Sequence, residues 1–206
     1  MITDPIPRAA KSRRQYEASD AQPHLALPPA EPFQTLAADL ALALATEQRP
    51  KVKKAGAHLL AFLAQFYQVA PPKLSVLGAR PKQVSEGSSY ELWGDYTFAT
   101  EAIRVWMRTA VLGKVTSFRG LLNTLLHEFC HHLDVKRFGW PDTPHTRGFF
   151  CRIDDLYHMA LATPADQRRP LVWIKGRNTW RIDWTKLRSQ PATSAKAAPQ
   201  GTTQAP

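Results

Sequence analysis

Residues 125–134, Leu-Leu-His-Glu-Phe-Cys-His-His-Leu-Asp, constrain this chain more than any other stretch. Leu121, Leu122, Leu125, Phe129 and Leu133 recur at helical spacing and Ser117 stands where an N-cap belongs, so the run reads as an amphipathic helix. Within it lies His127-Glu128-x-x-His131. Four residues turn through about 400° on a helix, so His127 and His131 leave one face a turn apart and can share one metal ion. Glu128, a step further round, is placed to take a proton from a water on that metal. Zinc lowers the pKa of such a water to about 7, which makes the carboxylate a competent general base and then proton shuttle. Ionisable side chains set into an apolar run are costly to bury without a metal or partner, which weighs against a chance match.

A catalytic zinc takes a third protein ligand and keeps one position open. The astacin-like and matrix-type proteases supply a histidine six residues beyond the second one, but that position here is Arg137. Thermolysin-like enzymes use a glutamate from the next helix; the nearest equivalents are the shorter Asp154 and Asp155. His145 is the better candidate. Asp142 or Thr143 is expected to cap a second helix with Pro144 in its first turn, which puts His145, Phe149, Arg152, Ile153 and Leu156 on one face. Packing that face on the first helix carries His145 to the pair. His132, about 100° round from His131, is expected near the ligands or in solvent, and Asp134 as an acceptor for a ligand's free ring nitrogen. Arg147, Tyr157 and His158 are candidates for stabilising an oxyanion, and Cys130 is expected to be a small buried residue.

The run His127-Glu128-x-x-His131, a loop, then His145-x-x-x-Phe149 resembles the SprT-like metallopeptidases, which include the Spartan proteases. The similarity covers about residues 103–161. In that family the third histidine begins the next helix, often as His-Gly-x-x-Phe; here Thr146 stands in place of the glycine. The four-Cys zinc ribbon typical of full-length members is absent, since the chain has only Cys130 and Cys151. The resemblance implies a zincin-like metalloprotease core: a hydrolase acting on a protein or peptide substrate, with zinc on His127, His131 and His145 and Glu128 as catalytic base. It does not carry over the DNA–protein crosslink substrate of Spartan.

Around this core, 206 residues suit one domain with tails. Residues 1–32, rich in Pro, Ala and mixed charge, are expected to be a disordered lead-in, and residues 190–206 a disordered tail. Between them, residues 33–189 form the domain. Residues 33–48 and 52–69 read as a helical hairpin broken at Arg49-Pro50 and ended by Pro71-Pro72. Residues 74–77, 90–96 (with Gly94 as bulge or turn) and 103–109 read as strands; Ile103, Val105 and Met107 alternate toward the core. The last of these, just before the active-site helix, is expected to be the cleft edge on which an extended substrate pairs. The fold class is therefore α+β: a small mixed or antiparallel sheet, an active-site helix and a ligand helix, preceded by a helical hairpin.

Charge bears on partners. The chain has 27 Lys+Arg against 17 Asp+Glu, a net +10. Lys175, Arg177, Arg181, Lys186 and Arg188 interleave with Trp173, Trp180 and Trp184 in a C-terminal extension that can contact nucleic acid or clamp itself onto the core. A second function class follows: a non-catalytic metal-containing module that binds nucleic acid or a protein partner through that extension. Glu128 favours catalysis, since a structural metal site has no use for a base. No apolar run approaches the ~18 residues of a membrane span. Met1-Ile2-Thr3-Asp4-Pro5 lacks the basic-then-apolar order of a secretory signal, so a cytoplasmic location is the expectation.

Overall fold

The structure, a computed structural model, describes residues 1–85 and 88–189, with residues 82–85 and 88–91 described by their backbone only. The lead-in expected to be disordered is folded over most of its length: α1 (Ala10–Asp20) buries Tyr16 and Ser19. Its composition hid this because few apolar residues, Tyr16, Leu25 and Leu27 among them, pack inward, and long-range hydrogen bonds add to them. The Tyr16 hydroxyl donates to the Asp4 carbonyl at 3.3 Å, and Ser19 Oγ lies 3.0 Å from Thr146 Oγ1. The expected tail, residues 190–206, lies outside the described residues.

The helical hairpin is α2 (Ala30–Ala45) and α3 (Arg49–Phe66), each beginning about three residues before the expected start. Pro50 sits in the first turn of α3, where its missing N–H costs nothing. Gly56 lets α3 approach closely: a Cβ there would lie 2.8 Å from Leu74, with Leu125 and Leu40 at 3.7 and 3.9 Å. Helices and sheet thus share one core.

The sheet is small. β1 (Lys73–Ala79) pairs parallel with β5 (Ala102–Arg108), and β5 pairs antiparallel with β4 (Gly94–Thr97), giving the order β1-β5-β4. β2 (Lys82–Ser85) and β3 (Ser88–Glu91) form a separate antiparallel ribbon. Two expectations change here. Residues 90–96 are not one strand, because the chain leaves β3 at Glu91 and starts β4 at Gly94. The strand before the helix that carries His127 and His131 is also not the edge. β5 is buried at Ile103, Val105 and Met107 and takes partners on both sides, so the edges are β1 and β4, and it is β4 that reaches the histidine cleft, at Gly94.

α4 (Phe118–Lys136) and α5 (Arg147–Ala160) follow, both amphipathic and packed on each other. The chain closes with a hairpin, β6 (Trp173–Lys175) and β7 (Trp180–Ile182), and α6 (Trp184–Ser189). Ile2 bridges Arg181, and Thr3 N–H donates to the Trp180 carbonyl at 2.8 Å, so the first residues add to the β7 edge. No helix among the described residues is long and apolar enough to cross a membrane.

Candidate metal centre

Ser117 caps α4 as expected, its hydroxyl accepting from Gly120 N–H at 3.1 Å. The leucines of that helix are buried, and another row carries His127 into a cleft, with His131 buried one turn on. His145 arrives differently from expectation. The cap of α5 is Thr146, whose hydroxyl accepts from Phe149 N–H at 3.0 Å, so His145 lies just before the helix, not in it. Phe149, the aromatic of the motif, packs against all three histidines with ring centroids 4.6–5.1 Å away.

The three ring nitrogens converge. His127 Nε2 lies 3.1 Å from both His131 Nε2 and His145 Nε2. A tetrahedral ion with metal–nitrogen bonds of about 2.0–2.1 Å needs its ligand nitrogens roughly 3.3 Å apart, so the cluster already has nearly that spacing. His127, His131 and His145 are thus close enough to bind a metal ion. Burial, then the neighbouring histidine charge, pushes the His127 pKa down to about 3. Burial likewise holds His131 well below its ordinary value, so both favour the neutral form that ligates.

The opposite nitrogens are tied down, which fits the same reading. His131 Nδ1–H donates to Thr143 Oγ1 at 2.6 Å, and that hydroxyl donates to Asp134 Oδ2 at 3.1 Å, leaving Nε2 as a bare lone pair. Asp134 therefore acts through Thr143 rather than on the ring itself. Its other oxygen accepts from Arg152 at 2.7 Å, in an ion pair with both side chains fully buried. Burial pushes the Asp134 carboxyl up to about 6 against the pull of Arg152 and Thr143. Arg152 also donates to the Ser19 and Gln22 carbonyls at 3.0 and 2.7 Å, so the end of α1 helps to hold it. Thr143 holds a left-handed backbone, φ 32°, uncommon for a β-branched residue and here fixed by its bonds to both neighbours.

His145 is held by the N-terminal segment. Its N–H donates to Asp4 Oδ2 at 2.8 Å, its carbonyl accepts from Asp4 N–H at 2.8 Å, and its Nδ1 faces the same carboxylate at 3.4 Å. Burial opposes the charge on Asp4, but those bonds keep its pKa below the ordinary carboxylate value.

Glu128 lines the cleft with His127 and His145. Burial, then the charge of Asp95, pushes its carboxyl up to about 8. Edge strand β4 passes directly above: a Cβ on Gly94 would fall 2.5 Å from Thr124 Cγ2 and 2.9 Å from Glu128 Oε1. Glycine is there for this close approach, not for a bulge.

Other expected residues sit elsewhere. His132 is fully buried in the core, donating from Nε2 to the Ala70 carbonyl at 2.7 Å and accepting at Nδ1 from the Tyr96 hydroxyl at 3.0 Å. Cys130 is a buried core residue. Arg147 pairs with Asp20 and stacks on Trp180, while Tyr157 and His158 line a neighbouring groove; none of these three lines the histidine cleft. Trp173 packs on Phe150, so two of the extension's three tryptophans are engaged with the fold. Thr143 and Asp4 were not read from the sequence as functional. Asp4 lies 141 residues from His145, and no local pattern could have joined them. The chain matches no protein-family model, no curated protein and no solved structure.

Proposed function

We propose that the protein is a zinc-dependent metallopeptidase with a zincin-like core of the SprT-like type, hydrolysing peptide bonds with Glu128 as general base. The observation that carries this reading is the convergence of the His127, His131 and His145 Nε2 atoms beside the buried Glu128 carboxyl, in a cleft beneath a strand edge that is unpaired among the described residues. All-imidazole donors suit zinc, and a bound zinc supplies Lewis-acid polarisation of the scissile carbonyl. The protein's own groups do the rest. A substrate strand pairs with the free edge of β4, whose main-chain groups demand little of its sequence. A Glu128 carboxylate oxygen takes the proton of the attacking water and returns it to the leaving amine nitrogen. Asn123, one turn before His127 on the cleft wall and with its side-chain amide unpartnered among the described residues, offers that amide to the developing oxyanion. Asp4 and Thr143 keep two ligand rings aimed.

The test is metal content and hydrolysis of an unfolded protein substrate by wild type, Glu128→Gln and His145→Ala. Wild type is expected to carry zinc and cleave. Glu128→Gln should keep the metal and lose about 10²–10⁴ in rate, the usual contribution of a general base. His145→Ala should lose both. Undiminished hydrolysis by Glu128→Gln, or no metal in the folded wild type, overturns the reading.

A further inference from the structure

The cleft does not stop at the histidines. Past Gly120 and Asn123, which line both spaces together with Met1, it opens into a groove of about 680 Å³, larger than the 470 Å³ above the histidines. Arg119 from the first turn of α4, Arg169 from the loop after α5 and Arg188 from α6 stand around this groove. Its carboxylate, Asp154, faces His158 at 3.4 Å. Arg119 and Arg188 have no ion-pair partner among the described residues, and Arg169 donates only to the neutral Arg188 carbonyl, at 3.0 Å. Three guanidinium groups thus border one concavity without matching negative charge, a field that concentrates anions there.

We propose that this groove is the substrate-selecting subsite and takes an acidic segment, several Asp or Glu side chains, of the polypeptide being cleaved. The proposal rests on the peptidase reading above, because the groove is continuous with the cleft and its occupant is the chain lying over the histidines. Guanidinium forks match carboxylates two bonds at a time, and Leu171 and Leu187 provide apolar wall for the methylene stems. The volume suits a short extended stretch rather than a single side chain. Single-stranded nucleic acid would need successive aromatic platforms along a cationic track. Here Trp173 and Trp180 are packed on Phe150 and Arg147, which leaves Trp184, 44% exposed, at this groove.

The experiment uses full-length zinc-loaded Glu128→Gln protein and fluorescence anisotropy. The probes are a labelled peptide alternating Glu and Ala, the same peptide with Gln for Glu, and labelled oligothymidine. The Glu peptide is expected to bind about tenfold tighter than the Gln peptide, a preference of the size that exchanging rim charges produces. That preference should shrink in Arg119→Gln and vanish when Arg169→Gln and Arg188→Gln are added. All three side chains are exposed, so the fold is expected to persist, with the melting temperature as control. Equal binding of the two peptides, or a preference that survives the triple substitution, overturns the proposal. Oligothymidine binding more tightly than the Glu peptide, and released by the triple substitution, overturns it in favour of nucleic acid. Wild type separates the two readings. A Glu peptide that binds with the stated preference but is never cut sinks the peptidase and leaves the acidic-segment site standing. Cleavage with no acidic preference does the reverse.

Discussion

His131 and His145 are aimed from behind by single side chains, Thr143 for one and Asp4 for the other. Such partners typically set metal affinity by a factor of about 10–100. Thr143→Val and Asp4→Ala should each weaken zinc binding by about that factor in competition with a chromophoric chelator, with helical content unchanged. Glu128 carries a pH signature. Its carboxyl is held up to about 8 by burial and Asp95, whereas the unfolded chain ionises it near its ordinary value. Between those values the folded state holds the extra proton, so this group makes the metal-free protein less stable as pH rises. Glu128→Gln removes that dependence. Metal-free melting curves should therefore show the variant gaining on wild type from about pH 5 to pH 8. A constant difference across that range would contradict the buried carboxyl.

At the scale of elements, the junction of α1 with α5 decides where His145 stands. The Asp20 carboxylate accepts from Arg147 N–H at 3.0 Å and lies beside the positive end of α5. Gly148 permits the approach: a Cβ there would sit 2.2 Å from the Ser19 carbonyl oxygen and 2.9 Å from that of Asp20. These are backbone atoms that cannot swing aside. Gly148→Ala is expected to cost about 1–3 kcal/mol in denaturant unfolding, the usual penalty of overpacking. It should lower metal retention as well, because α1 leads back to Asp4. The α4 cap was legible from its local pattern of a serine three residues ahead of the amide it accepts from. The α5 cap was misplaced because Asp142, Thr143 and Thr146 are all competent caps, and contact with Ser19 supports Thr146.

For the whole molecule, the histidine cluster draws on three stretches of chain. α4 brings His127 and His131, the loop before α5 brings His145, and the N-terminal segment fastens that loop. On the proposed reading, metal binding is then a property of the assembled fold. Adding zinc to chelator-treated protein should raise its unfolding free energy by about 4 kcal/mol at free zinc 1,000-fold above Kd. His145→Ala should gain far less under the same titration. Equal gains would remove His145 from the site.

The sequence by itself determined what is periodic or local. The α4 helix with its cap, the His127–His131 pair, the helical hairpin and the alternating β5 strand all follow from spacings of a few residues. Tertiary structure decided the rest. β5 is central and β4 is the edge beside the cleft, a matter of strand order that no single strand's pattern encodes. The N-terminal segment is ordered because its polar groups find partners at α5 and β7 while Tyr16, Leu25 and Leu27 pack inward, contacts that its composition does not reveal. Local spacing can place two ligands on one helix face; only long-range hydrogen bonds could choose what holds the third.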